Sequence, residues 1–185
     1  MLNDVKSDAE SRMKKAVEAL QRDLATVRTG RASPALVDRV EVEYYGTMTP
    51  LNQLAGITVP EARLLVIQPW DKGSIHAIEK AIQMADLGVN PTNDGDVIRI
   101  NIPVLTEERR KEMVKMVWSK VEDSRVAIRN IRRDAISQIK ELAQEKMISE
   151  DEERRGEQDI QNLTDKYIAQ AEKTGKEKEE DVLEV

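Results

Sequence analysis

From the N-terminus, apolar residues fall at Leu2, Val5, Ala9, Met13, Ala16, Leu20, Leu24 and Val27. Steps of three and four place them in one stripe, so this segment is predicted to be an amphipathic helix of about 37 Å for roughly 25 residues. Gly30 follows as a stop signal. Between Ala32 and Leu105 the pattern changes: all six prolines of the chain lie here and β-branched residues cluster in short runs. Val40, Val42 and Tyr44 alternate as a strand; Tyr45-Gly46-Thr47 reads as a turn. Ile57 and Val59 form a short strand before Pro60, and Leu64 to Ile67 a buried one closed by Pro69. Ser74 is expected to N-cap a helix striped by Ile75, Ile78, Ile82 and Ala85 and ending at Gly88. After the hairpin-type turn Asn93-Asp94-Gly95, Ile98, Ile100 and Ile102 alternate again.

Thr106, with Glu107 and Glu108 behind it, opens a second long helix, a cap followed by acids at the positive end of the dipole. Its stripe, Val114, Val117, Val121, Ser124, Ile128, Ile131, Ala135, Gln138 and Leu142, steps 3-4-3-4 for about four heptads and is supplemented by Ile139. Ser149-Glu150-Asp151-Glu152 is a capping box opening a third helix striped by Ile160, Leu163, Tyr167 and Ala171. Gly175 and the charged residues after it are expected to fray.

Three such helices can bury their stripes together as an antiparallel bundle. The fold class expected is therefore α+β: an elongated three-helix bundle from residues 1–29 plus 105–185, with a small β/α/β domain, residues 31–104, inserted into it. Two short connectors, near residue 30 and at 103–105, form a candidate hinge. A helical tether or coiled-coil oligomer would also use the heptads; the short Met147–Ser149 connector favours an internal bundle, and a monomer is expected.

Composition agrees with long helices, since Ala, Glu, Lys, Leu and Arg supply 79 of 185 residues. The absence of cysteine removes disulfides, thiolate metal sites and thiol nucleophiles. The first residues carry mixed charge without an apolar core, and nowhere do about 18 apolar residues run together, so a cytoplasmic protein without membrane contact is expected. The net charge of −6 conceals asymmetry: residues 106–146 carry +3 and residues 147–185 carry −7. Within 109–133, nine Lys or Arg face three Asp or Glu.

Enzymatic readings lack parts: there is no Gly-rich phosphate loop, no His-Glu-x-x-His and no Gly-x-Ser-x-Gly. The lone histidine, His76, falls in the first turn of its helix, where a surface or capping role is expected. Asn90 to Gly95 fails as a calcium loop, because its first ligand is not Asp and its Glu position is Asn101. No catalytic residue, metal or cofactor is assigned. The basic stretch has direction: Arg125, Arg129, Arg132 and Arg133 form a band beside the core stripe of the second helix. One reading is a charged flank pairing with the acidic third helix. The other is a backbone contact to folded RNA, favoured by the choice of arginine over lysine. Trp70 and Trp118 are expected to be packing residues.

Arg28-Thr29-Gly30-Arg31-Ala32-Ser33-Pro34, Glu43-Tyr44-Tyr45-Gly46-Thr47, Leu105-Thr106-Glu107-Glu108-Arg109-Arg110-Lys111 and Arg129-Asn130-Ile131-Arg132-Arg133-Asp134-Ala135 occur in this order along the chain. Together with Asp86 to Pro91 and Ile148 to Asp151, this set closely resembles the signature segments of the bacterial ribosome recycling factor family. The resemblance implies an L-shaped, tRNA-sized molecule with a hinged smaller domain. It also implies a factor, itself hydrolysing nothing, that separates post-termination ribosomes into subunits with elongation factor G and GTP. Large-subunit ribosomal RNA would be contacted by Arg28, Arg31, Arg110, Arg129, Arg132 and Arg133, and the hinge would be Gly30 with Pro103, Val104 and Leu105.

Overall fold

The stripes written into the sequence become helices that bury most of them; in the first long helix Val17 is buried beside a half-buried Ala16, and in the second Ile139 is buried where Gln138 is exposed. The computed structural model describes residues 1–184, so Val185, the last residue of the expected helical domain, lies outside the described residues. Helix α1 spans Leu2–Ala25, α2 Ile75–Met84, α3 Glu107–Gln144 and α4 Glu150–Leu183. The strands are β1 (Glu41–Tyr44), β2 (Thr47–Pro50), β3 (Ala55–Glu61), β4 (Leu64–Pro69), β5 (Pro91–Asn93) and β6 (Ile98–Asn101). The mixed content confirms the α+β class. The chain divides into two compact units: Met1–Val27 with Val114–Glu180, and Arg28–Met113 with the terminal residues from Asp181 on.

The first unit is a three-helix bundle. Ser124 of α3 donates its hydroxyl to the Ala16 carbonyl of α1 at 3.4 Å, and Arg12 pairs with Asp134 at 3.3 Å, so α1 and α3 run antiparallel. Along α4, Lys6 pairs with Asp159 while Arg125 pairs with Glu172 and Arg132 donates to Gln161. Helix α4 is therefore parallel to α1 and antiparallel to α3. Met13, Leu20, Val117, Val121, Ile128, Ile139, Ile160 and Ala171 fill the space between them. The heptad stripe of α3 is thus covered by helices of its own chain, which removes the need for a coiled-coil partner.

Two expectations about α4 need correction. Thr164, not Leu163, is the buried residue between Ile160 and Tyr167, its hydroxyl donating to the Ile160 carbonyl at 2.8 Å. Nor does the helix fray at Gly175; it continues to Leu183. The reason is packing: a Cβ on Gly175 would collide with Val121 Cγ2 of α3 and meet Trp118 at 3.5 Å. Gly156 plays the same part near the other end, where a Cβ would lie 2.9 Å from Leu2 and 3.3 Å from Ile139. Glycine here lets helix backbones approach, at a helix-propensity cost of about 1 kcal/mol each.

The capping box forms as expected. Ser149 Oγ accepts from the Glu152 N–H at 3.1 Å, and Glu152 Oε1 accepts from the Ser149 N–H at 3.4 Å. Ser149→Ala is expected to lower stability by about 1 kcal/mol, read as a reduced midpoint in urea with unchanged m-value. Thr106 likewise accepts from the Arg109 N–H at 3.1 Å at the start of α3.

In the second unit, β1 and β2 make a hairpin, and a separate antiparallel sheet has the order β3-β4-β6-β5. The hairpin turn has φ +49° at Tyr45 and +80° at Gly46, the pair of positive values that a two-residue turn of matching twist requires. Leu65, Ile67, Ile98 and Ile100 face inward against Ile75, Ile78 and Ile82 of α2, with Val42 from the hairpin closing the core. Strand β3 does not stop before Pro60 but runs through it, which the edge position allows; its register shifts between Thr58 and Glu61. Ser74 does not cap α2 with its side chain. The hydroxyl donates backward to the Asp71 carbonyl at 2.7 Å, and Asp71 caps the short 3-10 turn Lys72–Ser74 by accepting from the Gly73 N–H at 2.9 Å. Tyr44 and Tyr45 also donate to Asp71, at 3.0 and 3.2 Å. These bonds, the Gly73 amide first, hold the Asp71 carboxyl below the usual range. Trp70 is not a packing residue: with Leu65, Ile67 and Pro69 turned inward, it has the opposite parity and is 70% exposed. His76 is exposed in the first turn of α2.

Candidate nucleic-acid interface

The heptad period that buries one face of α3 fixes where its arginines emerge. In the three-helix unit, Arg125, Arg129, Arg132 and Arg133 occupy successive positions on the flank of the buried Ile128–Ile131–Ala135 stripe. They are not equivalent. Arg125 is pinned: it bonds Glu122 at 3.0 Å and Glu172 of α4 at 3.1 Å, lies 5.8 Å from the centre of the Trp118 ring, and is 22% exposed. Trp118, half-buried, donates its indole N–H to Glu179 of α4 at 3.2 Å. Arg132 is half-buried and donates to Gln161 Oε1 of α4 at 3.1 Å. The Nε atoms of Arg125 and Arg132 are buried without an acceptor among the described residues, so both stems lie folded against the bundle.

Arg129 and Arg133 are the exposed members. Arg129 reaches Glu122 at 3.2 Å, an open ion pair of the kind worth about 0–1 kcal/mol, and Arg133 makes no ion pair among the described residues. Glu122 is shared: the hydrogen bond from Arg125, then that from Arg129, holds its carboxyl below the usual range. The band is thus divided by its partners. Arg125 and Arg132 engage the acidic helix, while Arg129 and Arg133 keep their guanidinium donors toward solvent.

The second unit holds the other three arginines of the expected RNA contact, Arg28, Arg31 and Arg110. Arg31 and Arg110 line a cleft of about 430 Å³ together with Arg63, which sequence reasoning did not single out. Gly30, Val104 and Leu105 also border it, and Glu184 reaches into it to pair with Arg31. Leu105 is buried, whereas Pro103 and Val104 are exposed. Arg28 stands elsewhere, its guanidinium 3.1 Å from where a Cβ of Gly88 would be. Arg63 lies in the turn between β3 and β4, where no periodicity or capping pattern marks it.

Exposed guanidinium groups along a helix flank, here Arg129 and Arg133, are suited to hold a polyanion by its backbone. Among the described residues no cluster of three His, Cys, Asp or Glu side chains could hold a metal, and no helix is long and apolar enough to cross a membrane. The fold is that of an α+β protein with an exposed arginine flank, and comparison with known proteins gives it a family. The model of the ribosome recycling factor family matches residues 20–183. Ribosome-recycling factors of Thermomicrobium roseum and Carboxydothermus hydrogenoformans are 57% and 56% identical over 185 residues, covering 100% of both chains. A solution structure of ribosome recycling factor superposes with a TM-score of 0.80 at 47% identity, covering 100% of this chain and 98% of that one. A second structure, at TM-score 0.70 and 50% identity over the full length of both chains, is of the T. thermophilus ribosome recycling factor with E. coli elongation factor G bound to the E. coli post-termination complex. This chain belongs to the ribosome recycling factor family.

Proposed function

We propose that the protein separates post-termination ribosomes into their subunits together with elongation factor G and GTP. The observation that carries this reading is the full-length likeness, at 50% identity, to a factor described on the post-termination complex beside elongation factor G. In this reading Arg129, Arg132 and Arg133 of the helical unit, with Arg28, Arg31 and Arg110 of the second, grip large-subunit ribosomal RNA. Arginine suits that task because its planar fork meets phosphate oxygens in pairs. The second unit meets elongation factor G, which hydrolyses the nucleotide. The protein supplies a rigid grip and a body that can be pushed, with Gly30 and the Pro103–Leu105 segment as the hinge. It acts as a monomer in the cytoplasm.

The test is light scattering of post-termination ribosomes on adding this protein, elongation factor G and GTP. A fall in scattering that needs all three components is expected; no fall with a cognate elongation factor overturns the reading. Gly30→Pro, which removes backbone freedom at the proposed hinge, is expected to leave ribosome binding intact and slow the fall at least several-fold. An unchanged rate would remove Gly30 from the hinge.

A further inference from the structure

Helix α2 carries more apolar surface than its core uses. Taking Ala77 as zero and about 100° per residue, Ile75, Ile78 and Ile82 lie near 160°, 100° and 140°, the side buried against the sheet. Ala77 and Ala81, at 0° and 40°, meet that core with one side and are only partly covered, and with the exposed Met84 near −20° they form a second strip that runs toward Ala85. This second strip forms one wall of a groove of about 670 Å³. The β1–β2 hairpin forms the other wall. There Glu43 pairs across the strands with Met48, which sets both side chains on one face. Met84 is 76% exposed and Met48 57% exposed, so two flexible, polarisable side chains flank a floor of alanines. Small floor residues and methionine walls accept an apolar segment closely and adapt to its shape.

The rim says what kind of molecule enters. Glu41 and Glu43 border the groove without an ion-pair partner among the described residues, and the single cation there is Lys80. Two unpaired carboxylates repel phosphate, and no aromatic ring lines the floor for a base to stack on, so the occupant is polypeptide and not RNA. We infer that this groove between α2 and the β1–β2 hairpin docks an apolar segment of elongation factor G, flanked by Lys or Arg facing Glu41 and Glu43. The inference rests on the recycling reading and adds to it the surface of this chain that the motor protein would push.

The experiment measures the elongation factor G concentration that gives half-maximal splitting rate, with ribosome binding of each variant measured separately by co-sedimentation without elongation factor G. Met48→Glu with Met84→Glu places charge in the groove at two exposed positions and leaves the core untouched. That variant is expected to need at least tenfold more elongation factor G while sedimenting with ribosomes as the wild type does. Glu41→Lys with Glu43→Lys is expected to shift the requirement in the same direction by reversing the rim charge. An unchanged requirement in both variants overturns the docking site and leaves the recycling reading standing. Loss of ribosome binding without elongation factor G also overturns it, because the ribosome itself would then fill the groove. Wild-type protein that splits nothing with a cognate elongation factor overturns the recycling reading and the docking site with it.

Discussion

Gly175→Ala is expected to destabilise the protein, although alanine is by about 1 kcal/mol the better helix former. The new methyl group would enter the space of Val121 Cγ2, a side chain buried in α3, with the Trp118 ring 3.5 Å away. Forcing a methyl group into a filled core costs about 1–3 kcal/mol, so after the gain in helix propensity the net loss is expected to be about 1 kcal/mol. Chemical denaturation measures it directly. The cause is checked by a double-mutant cycle with Val121→Ala, which removes the colliding carbon. In that background Gly175→Ala is expected to become neutral or stabilising. A cost that persists in the cycle would place the strain elsewhere than at this contact.

Arg129→Ala with Arg133→Ala is expected to weaken binding to the large ribosomal subunit roughly 30- to 150-fold, taking about 1–1.5 kcal/mol for each lost charged contact. The slope of log affinity against log salt is expected to fall by about 2, as for two phosphate contacts. Thermal stability is expected to stay the same, because both side chains are exposed and Glu122 keeps its bond to Arg125. Arg125→Ala is the contrasting variant. It removes the bond to Glu172 and the contact over Trp118, so its first effect is expected on the α3–α4 packing. Equal binding by the Arg129/Arg133 double variant would reassign the grip to other residues.

The helices were readable from spacing alone because each buries a stripe in a single direction, and a stripe at period 3.6 admits one local structure. The caps at Thr106 and Ser149 were readable for a similar reason: donor and acceptor lie within three residues. What escaped the sequence depends on residues distant in the chain. Gly175 looks like a helix stop until Val121 is placed against it, and the two are brought together only by the fold. Ser74 looks like a cap, yet its hydroxyl turns back to the carbonyl of Asp71, whose carboxylate is held by Tyr44, Tyr45 and the Gly73 amide. The arginine band was visible as a direction on α3, yet its division into clamped and solvent-facing members is decided by Glu172 and Gln161 on α4. The groove beside α2 left no trace in any local pattern, since its walls are contributed by residues 40–48 and 77–85.

The four-stranded sheet ends on β3 at one side and β5 at the other, and each of these outer strands contains a proline, Pro60 and Pro91. An exposed strand normally offers a row of amide and carbonyl groups to any extended chain nearby. Proline lacks the amide, and the register shift beside Pro60 turns that margin further out of line. Neither margin can accept another strand along its length. In a cell full of nascent, unfolded polypeptide, a protein built this way resists being drawn into cross-chain sheets. Contacts at this sheet are therefore left to side chains, and those can be released again after each encounter.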